Sequence, residues 1–456
     1  MSKKIIPLFL LLIFVLTAGF GCKTTNKSTQ AALQPITLTY WRVYDDSDAF
    51  QGIIDKYKVL HPNITIQYRK LRYNEYETEL LNALAEDRGP DILSLHNTWL
   101  RKYQNKLAAM PTSTTMAYQV ETGAIKKEIV SELRTSKSLT LKDLKDKFVD
   151  AVYNDVVLDD GKIYGLPLSV DTLALFYNRD LLNNAGLTEA PKYWNKEFQQ
   201  DIKKLTKQDA AKGIIQAGIA LGTSNNINRF SDILSVLMMQ NGATMMEGNQ
   251  ILFNTIPAAG RETNYNPGLE ALRFYLDFSN SGKEVYSWND SLPNSLEMFT
   301  SGKLALMFGY AYDLPTIKAQ APKLNFSVSK LPQIEGSQTE VNFANYWVEA
   351  VSKKSKHQNE AWDFIQFATQ AEQAKTYLEK TKKPTALRSL VGSQREDSEI
   401  GIFADQVLTA KSWYHGNDAN AAETAIGEMI DNARQNIDGV LNALNTAAAK
   451  VQQTIK

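Results

Sequence analysis

Hydrophobic and polar residues alternate along the first structured segment of the chain. In residues 36–41 (ITLTYW), Ile, Leu and Tyr alternate with Thr, Thr and Trp, a period of two that predicts a β-strand. Apolar residues then recur at helical spacing over 50–57. The order continues with a strand at 64–68, a helix at 76–84 and a strand at 91–95. Because such long crossovers join parallel strands, the pattern predicts an α/β layer fold.

Helical patterns are more frequent in the later part of the chain. The polar segment 111–150 is also expected to be helical. Two helix-rich blocks, 358–380 and 419–455, close the sequence. In the second block an apolar residue recurs every three or four positions, which is typical of a helix with one apolar face. Such a helix packs on a core or lies on a membrane surface, and we favour the core.

The N-terminus has the layout of a targeting segment. Two lysines precede an apolar stretch, and small residues follow before Cys22, which is the single cysteine of the chain. As a helix, residues 5–20 would rise about 24 Å, short of the roughly 30 Å of a bilayer core. The segment resembles a bacterial lipoprotein signal, so we predict a signal peptide at 1–21, an acylated Cys22 and a flexible tether at 22–35. An ordinary secretory signal is the alternative.

Composition excludes several classes of protein. The chain has 456 residues, of which 43% are hydrophobic, and its 50 basic residues match its 50 acidic ones. A dedicated nucleic-acid binder needs an excess of positive charge, which is absent here. One cysteine allows neither an internal disulfide nor a thiolate zinc cluster. No nucleophile elbow, zinc-protease pair, Walker loop or dinucleotide fingerprint occurs, so we predict no catalytic residues, no metal and no cofactor.

Aromatic residues are the informative class for binding. Several of the 7 Trp, 20 Tyr and 18 Phe follow predicted strands, where ligands of open α/β sheets bind. Aromatic faces interleaved with polar residues suit a sugar, which has both apolar faces and hydroxyl groups. For these aromatic residues taken together, the alternative is a site that binds an amine through cation–π contact. For any single aromatic residue, the alternative is a place in the core.

One long segment carries a family resemblance. Residues 161–187 (GKIYGLPLSVDTLALFYNRDLLNNAGL) resemble the signature of family 1 extracellular solute-binding proteins, the maltose-binding-like receptors of ABC importers. The resemblance covers about residues 36–456. Further segments match in the same order: TYW at 39–41, GPDIL at 89–93, APKYW at 190–194, FTSGKLALMFGYAYDLP at 299–315, LPQIEG at 331–336, YWVEAVSKKS at 346–355 and EAWDFIQF at 360–367.

The resemblance implies a two-lobed, periplasmic-binding-protein-like (type II) fold with a hinge and a ligand cleft between the lobes. It places an N-lobe at 36–168 and 338–398, and a C-lobe at 169–337 and 399–456. The chain would cross between lobes near residues 168, 338 and 398. The ligand candidates carried over by position are Trp41, Tyr44, Asp46, Asn97, Trp99, Asp171, Tyr177, Tyr310, Tyr346, Trp347 and Trp413.

The predicted function is that of an extracytoplasmic receptor. By resemblance, it would be a monomer held to the bacterial cell membrane by lipid, and it would pass a mono- or oligosaccharide to ABC permease subunits. A secreted glycan-degrading enzyme is the first alternative, and two facing carboxylates in the cleft would favour it. A receptor for a peptide or a polyamine is the second. Within the site, either Trp347 stacks on the ligand, or Trp347 lies in the core and Tyr346 faces the ligand, because neighbouring strand residues point to opposite faces.

Overall fold

A computed structural model describes residues 32–123 and 128–455. Cys22, the predicted signal peptide and most of the predicted tether lie outside these residues. The end of the tether lies against the folded part, because the Asn63 side chain donates to the carbonyls of Ala32 and Gln34 at 3.0 and 3.1 Å. Within the described ranges, no helix is long and apolar enough to cross a lipid bilayer.

The strands and helices alternate along most of the described chain. The strands are β1 (Ile36–Val43), β2 (Ile64–Leu71), β3 (Ile92–His96), β4 (Leu107–Ala108), β5 (Ser113–Thr122), β6 (Glu128–Lys137), β7 (Asp171–Thr172), β8 (Ala174–Asn178), β9 (Lys207–Gln208), β10 (Ile214–Ile219), β11 (Met246–Glu247), β12 (Gln250–Ile251), β13 (Leu304–Gly309), β14 (Phe326–Ser329), β15 (Asn342–Asn345), β16 (Trp347–Ser352) and β17 (Ala410–Lys411).

The α-helices follow the same chain order. They are α1 (Asp48–Leu60), α2 (Tyr73–Ala85), α3 (Leu100–Tyr103), α4 (Leu141–Lys147), α5 (Asp150–Val156), α6 (Arg179–Asn184), α7 (Lys196–Leu205), α8 (Phe230–Gln240), α9 (Pro267–Asp277), α10 (Ser295–Thr300), α11 (Asp313–Gln320), α12 (Gln358–Ala368), α13 (Ala371–Thr381), α14 (Arg388–Gln394), α15 (Gly401–Gln406), α16 (Ala419–Gln435) and α17 (Val440–Gln453).

Two five-stranded sheets organise the fold. The first has the order β2-β1-β3-β16-β4, and its β1 pairs in parallel with both β2 and β3, as the alternation of strand and helix predicts. The second has the order β14-β8-β13-β10-β9. Each sheet lies in its own hydrophobic core, and we call the parts of the chain around these cores the first lobe and the second lobe. The mixed, two-lobed α/β fold confirms the predicted fold class.

A short sheet lies where the chain passes between the lobes. Core residues belong to the first lobe up to Val170 and to the second from Leu173, and the chain returns to the first core between Phe343 and Ala344. At these positions β15 pairs with β7 on one side and with β17 on the other. We call this three-stranded sheet the hinge sheet. It places residues of three separate segments beside one another.

The prediction of helix across 111–150 is wrong for most of that segment. Residues 113–122 and 128–137 form β5 and β6, which pair antiparallel over ten residues each, and among the described residues of the segment only α4 and the start of α5 are helical. The hairpin packs on α12, where Thr114 donates to Asp363 at 2.9 Å. β-Branched residues (Thr, Val and Ile) recur in both strands, and Val120 lies opposite Val130. Such residues favour strand, but the high polarity of the segment obscured this signal.

The final helical block packs on a core, as predicted. Its two helices α16 and α17 contribute a run of buried residues to the second lobe, including Ile426, Ile430, Leu444 and Val451. These residues recur at helical spacing and are at most 4% exposed. The membrane-surface alternative for this block is therefore not needed to explain its apolar face.

Candidate functional site

A cavity lies between the two lobes beside the hinge sheet. It encloses about 690 Å³ including its opening to solvent. The first lobe supplies Tyr73 and the segment from His96 to Trp99, and the hinge sheet supplies Asn345. The second lobe supplies charged groups from α8 and α16 together with aromatic residues that follow β17. The side chains most relevant to binding are Tyr73, His96, Asn97, Trp99, Arg229, Asp232, Asn345, Trp413 and Glu423.

The first-lobe side of the cavity is aromatic. The ring of Trp347, at the start of β16, is surrounded edge-on by five aromatic rings at centroid distances of 5.4–6.1 Å, an arrangement that aromatic quadrupoles favour. Its partners are Tyr44, Tyr73, Tyr76, His96 and Trp99. We call these six residues the aromatic cluster. Two of them, Tyr44 and Tyr73, stack at 5.7 Å and are about half exposed, so part of the cluster can still receive a ligand.

A buried ionic group fixes the turn that carries Tyr44. Tyr44 has a φ of +65° directly after β1, in the left-handed region that a bulky residue rarely adopts. The next residue, Asp45, is held by Arg42 at 3.1 Å, by Lys383 at 2.6 Å and by the Tyr377 hydroxyl at 2.9 Å. Burial would raise the pKa of Asp45, but the two cations lower it below its usual value. These contacts hold Tyr44 against Tyr73 despite its strained backbone.

The second-lobe side of the cavity is ionic. Arg229, at the start of α8, donates from Nε and Nη2 to the two carboxylate oxygens of Asp232, both at 2.8 Å. The Tyr310 hydroxyl donates to the same carboxylate at 2.7 Å, and Glu423 lies 3.7 Å from Arg229. Burial would raise the pKa of Asp232, but the guanidinium holds it below its usual value. Glu423 differs, because burial raises its pKa. These bonds thus hold the positively charged Arg229 side chain in one position at the cavity.

The two sides face each other across the cavity. Burial raises the pKa of Tyr44 and of Tyr73, and the positive charge of Arg229 acts in the opposite direction on both phenols. Arg229 and Tyr73 line the same cavity. A ligand between these groups would contact aromatic faces on one side and a hydrogen-bonding cation on the other.

One buried carboxylate joins the lobes at the floor of the cavity. Asp155 of α5 accepts from Asn97 Nδ2 at 3.0 Å and from the Tyr346 hydroxyl at 2.6 Å. Asn97 follows β3, and Tyr346 lies between β15 and β16. The segment after β17 adds the Ser412 hydroxyl and His415 Nε2, the latter at 2.9 Å. Burial would raise the pKa of Asp155, but these donors lower it below its usual value. Asp155 therefore holds Asn97 in one orientation.

Two further carboxyl groups are buried near the hinge sheet. Asp171 of β7 accepts from the backbone N–H groups of Thr172, Ala311 and Tyr312 at 2.8, 3.1 and 3.3 Å. Burial nevertheless raises its pKa to about 7, and it raises that of neighbouring Asp313 to about 6. Both groups therefore change protonation near neutral pH.

His96 is neutral at the cavity wall. Burial lowers its pKa to about 4. Its two ring nitrogens lie 2.8 Å from the Thr98 hydroxyl and 3.1 Å from the Asn345 amide oxygen. The imidazole thus connects β15 of the hinge sheet to the first lobe through Asn345. Within the described ranges, no cluster of three or more His, Cys, Asp or Glu side chains could hold a metal ion.

Comparison with known proteins identifies the family. The family described as bacterial extracellular solute-binding proteins matches residues 44–375, which is most of the chain. This chain is a bacterial extracellular solute-binding protein. The match confirms the resemblance seen in the sequence, and members of this family act outside the cytoplasm.

Several relatives of this solute-binding protein carry names that specify sugars. It is 24% identical over 300 residues to the multiple sugar-binding protein of Streptococcus mutans, covering 64% of this chain and 68% of the relative. It is 22% identical over 424 residues to the arabinooligosaccharide-binding protein of Bacillus subtilis, covering 88% and 85%.

A solved structure supports the fold. The cyclic α-maltosyl-1,6-maltose-binding protein of Arthrobacter globiformis matches with a TM-score of 0.71 at 19% identity, covering 92% of this chain and 99% of that one. At this identity the likeness concerns the fold alone.

Five of the predicted ligand residues lie at or beside the cavity. Asn97, Trp99 and Trp413 line it, and the Trp413 indole donates to Ser235 at 3.0 Å. Tyr44 and Trp347 belong to the aromatic cluster. Trp347 does not line the cavity itself, but its ring packs against Trp99 and His96, which do. Ligand contact by these residues stays a prediction.

Two predicted residues are buried beneath the cavity. Tyr310 is 0% exposed and donates to Asp232, while Tyr346 is 3% exposed and donates to Asp155. Both therefore position carboxylates. Tyr346 is buried, and Trp347 is half-buried with its ring 5.4 Å from that of Trp99. Stacking of Trp347 on the ligand stays a prediction.

Four predicted residues lie elsewhere. Trp41 is covered by the guanidinium of Arg69 at 4.7 Å, and Asp46 forms an exposed ion pair with Lys70 at 2.8 Å. Tyr177 lies on β8, beside a separate surface depression of the second lobe. Asp171 lies in the hinge sheet. The structure does not bring Trp41, Asp46 or Tyr177 to the cavity.

Sequence reasoning missed the charged residues of the ionic side and two residues of the aromatic side. Tyr73, His96, Arg229, Asp232 and Glu423 line the cavity but were not among the candidates. One local signal existed, because Arg229 and Asp232 are three residues apart at the start of a helix, a spacing that brings side chains together. Their position opposite Tyr73 depends on contacts between segments far apart in the chain.

Proposed function

We propose that this solute-binding protein captures a carbohydrate between its lobes and delivers it to the permease of an ABC importer. The observation that supports the proposal is the pairing of aromatic rings with a fixed cation and hydrogen-bonding amides across one cavity. Sugars offer apolar ring faces to aromatic side chains and hydroxyl groups to polar ones. The names of the relatives, which include multiple sugar-binding and arabinooligosaccharide-binding proteins, support the same class of ligand.

A polyamine fits this cavity less well. A site for an organic cation surrounds it with carboxylates and aromatic faces and holds no fixed positive charge. Here Arg229 lines the cavity together with Tyr73. Because Arg229 pairs with the carboxylates of Asp232 and Glu423, neither carboxylate is free to pair with an ammonium group. The cavity therefore favours a neutral, hydroxyl-rich ligand.

We propose binding without catalysis. A glycosidase needs one carboxyl group free to protonate a leaving group and a second carboxylate free to attack or activate water. Both oxygens of Asp232 accept from Arg229, and the Tyr310 hydroxyl donates to one of them as well. Glu423 faces the same guanidinium at 3.7 Å. The cavity carboxylates therefore hold Arg229 in place.

Hinge closure is the proposed mode of capture. The proposed N-lobe comprises 36–168 and 338–398, and the proposed C-lobe comprises 169–337 and 399–456, so that they rotate about the hinge sheet. A ligand that contacts both sides of the cavity binds the closed form better and shifts the equilibrium towards it. The closed form would then dock on the permease.

Membrane attachment through Cys22 completes the proposal. Two acyl chains anchor a soluble domain stably, whereas one does so only marginally. The variant Cys22→Ala should therefore release the protein from the membrane or leave its signal uncleaved. Normal processing together with unchanged retention would contradict lipidation.

Ligand screening tests the function. The mature protein is titrated by calorimetry and thermal shift with mono- and oligosaccharides, amino acids, peptides and polyamines. A sugar at 100 times its dissociation constant should add about 2.7 kcal/mol to the free energy of unfolding. Solution scattering should show a smaller radius of gyration with that sugar. Binding of a peptide or a polyamine, with no response to any sugar, would contradict the proposal, and release of new reducing ends would indicate an enzyme.

A further inference from the structure

The two carboxylate oxygens of Asp155 accept hydrogen bonds from different parts of the chain. Oδ2 accepts from Asn97 Nδ2 at 3.0 Å and from the hydroxyl of Tyr346, which belongs to the first core. Oδ1 accepts from the Ser412 hydroxyl and from His415 Nε2, the latter at 2.9 Å. The carboxylate is buried, so these donors replace the water that would otherwise solvate its charge.

The donors to Oδ1 are carried by the second lobe. Between Ser412 and His415, the side chains of Trp413 and Tyr414 are buried in the second core. Asp155 itself lies on α5, whose other buried residues belong to the first core. The bonds from this segment to Oδ1 therefore cross from one lobe to the other.

Arg101 makes a further crossing at the same place. It lies on α3 between Leu100 and Tyr103, which are both buried in the first core. Its Nη1 donates to the His415 carbonyl at 3.0 Å, and its Nη2 pairs with Asp159. The first lobe thus holds His415 by its backbone as well as by its ring. We call Arg101, Asp155, Ser412 and His415 the inter-lobe contact.

The inter-lobe contact joins protein groups to one another and reaches beyond the main cavity. Arg101 and His415 are not among the residues that line that cavity, so a ligand there need not touch them. Hydrogen bonds to an ionised carboxylate are stronger than those between neutral groups. If opening of the lobes breaks these bonds, they raise the fraction of closed protein, and the apparent dissociation constant falls in proportion to that fraction.

We propose that the inter-lobe contact holds the lobes together before the ligand binds and thereby sets the affinity. Arg101 and His415 are then positioning residues, which act on binding through the closed fraction and not through the ligand. The inference rests on the proposed hinge closure. It adds the side chains that bias the equilibrium and places them on α3, on α5 and after β17.

Solution scattering of the purified protein without added ligand is the first test. His415→Ala and Arg101→Ala should each give a larger radius of gyration than wild type, and His415→Gln, which keeps an amide donor, should restore part of the difference. Arg388→Ala is the matched control, because Arg388 pairs with Asp150 of the same helix α5 within the first lobe. Its radius should equal that of wild type. Asp155 keeps at least three donors in each variant, so the first lobe should fold, which urea unfolding checks.

Calorimetry with maltotriose, mannotriose and arabinotriose is the second test. His415→Ala and Arg101→Ala should weaken binding about three- to tenfold, the effect of one hydrogen bond. The factor should be the same for every sugar that wild type binds, because a contact that does not touch the ligand cannot discriminate between ligands. Arg388→Ala should bind like wild type.

Two results would overturn the inference. Equal radii of gyration in wild type and both alanine variants would show that the inter-lobe contact persists when the lobes open. A loss of affinity that differs from sugar to sugar would show that Arg101 and His415 touch the ligand. Failure of wild type to bind any sugar would contradict the proposed ligand class alone, because the scattering comparison needs no ligand.

Discussion

The two sides of the main cavity achieve rigidity in different ways. The first-lobe side is a set of aromatic rings packed edge-on around Trp347, and its order comes from shape and packing. The second-lobe side is a guanidinium held by two charge-assisted bonds to Asp232, and its order comes from electrostatics. Aromatic faces accept many sugars because they contact C–H surfaces, whereas hydrogen bonds depend on the position of each hydroxyl.

The difference indicates that the two sides of the cavity contribute differently to ligand binding. The aromatic cluster would supply contact area and so most of the affinity, while Arg229 and its carboxylates would select among sugars. The hinge sheet between them carries Asp171, whose protonation changes near neutral pH. Variants on each side and in the hinge can test this comparison separately.

The largest effect is expected from the centre of the aromatic cluster. Trp347→Ala removes the ring against which five others pack and leaves a cavity, so the free energy of unfolding should fall by about 3–5 kcal/mol. Urea unfolding measures this change, and Trp347→Phe should restore part of it. Calorimetric titration then separates the two roles of Trp347. Loss of affinity with unchanged stability would show that Trp347 stacks on the ligand.

A smaller effect is expected from the ionic side. Arg229→Ala should weaken sugar binding by about 2–3 kcal/mol, because it removes a charged donor and leaves Asp232 buried without its cation. If the comparison holds, the variant should also discriminate less between sugars that differ in one hydroxyl. Arg261→Ala, an exposed change in the same lobe, is the matched control. Retained selectivity in the Arg229 variant would assign sugar recognition to the aromatic side.

The smallest effect is expected from the hinge, as a dependence of stability on pH. Unfolded Asp171 has a pKa near 4, and its folded pKa is raised to about 7. Between these values the folded state holds a proton that the unfolded state has lost, so stability falls as pH rises. From pH 5 to pH 7 this loss is roughly 2 kcal/mol.

Asp171→Asn should remove that part of the pH dependence, since an amide does not titrate. Urea unfolding at a series of pH values compares it with wild type. Asp313→Asn is the matched control. It should remove a different part of the pH dependence, because the stability that Asp313 contributes is lost near pH 6, where its folded pKa lies. An identical pH slope in wild type and the Asp171 variant would show that Asp171 is charged throughout.

Much of the fold was predictable because the signals are local. The strand and helix periods at residues 36–95 identified β1, α1, β2, α2 and β3 together with their parallel pairing. The β5–β6 hairpin was missed because its strands are so polar that no clear strand period is visible before the partner strand is known. The apolar spacing of α16 and α17 correctly indicated a core-facing surface.

Part of the site was predictable for a different reason. Asn97, Trp99 and Trp413 follow strands or lie in segments that resemble the family, and the structure places them in the cavity. Trp41, Asp46 and Tyr177 have similar sequence surroundings but lie elsewhere. Periodicity shows which face of an element is apolar, but it does not show which rim residue meets the opposite lobe.

The sequence by itself determined the layer fold, the family and the abundance of aromatic residues near strand ends, because these depend on local spacing and ordered segments. Only the tertiary structure decided the chemistry of the cavity. The bonds from Asn97 and His415 to Asp155 join residues 58 and 260 positions apart, and Arg229 lines the same cavity as Tyr73, more than 150 positions earlier in the chain. Such contacts arise when two separate cores pack about a shared hinge, and no local pattern in the sequence records that geometry.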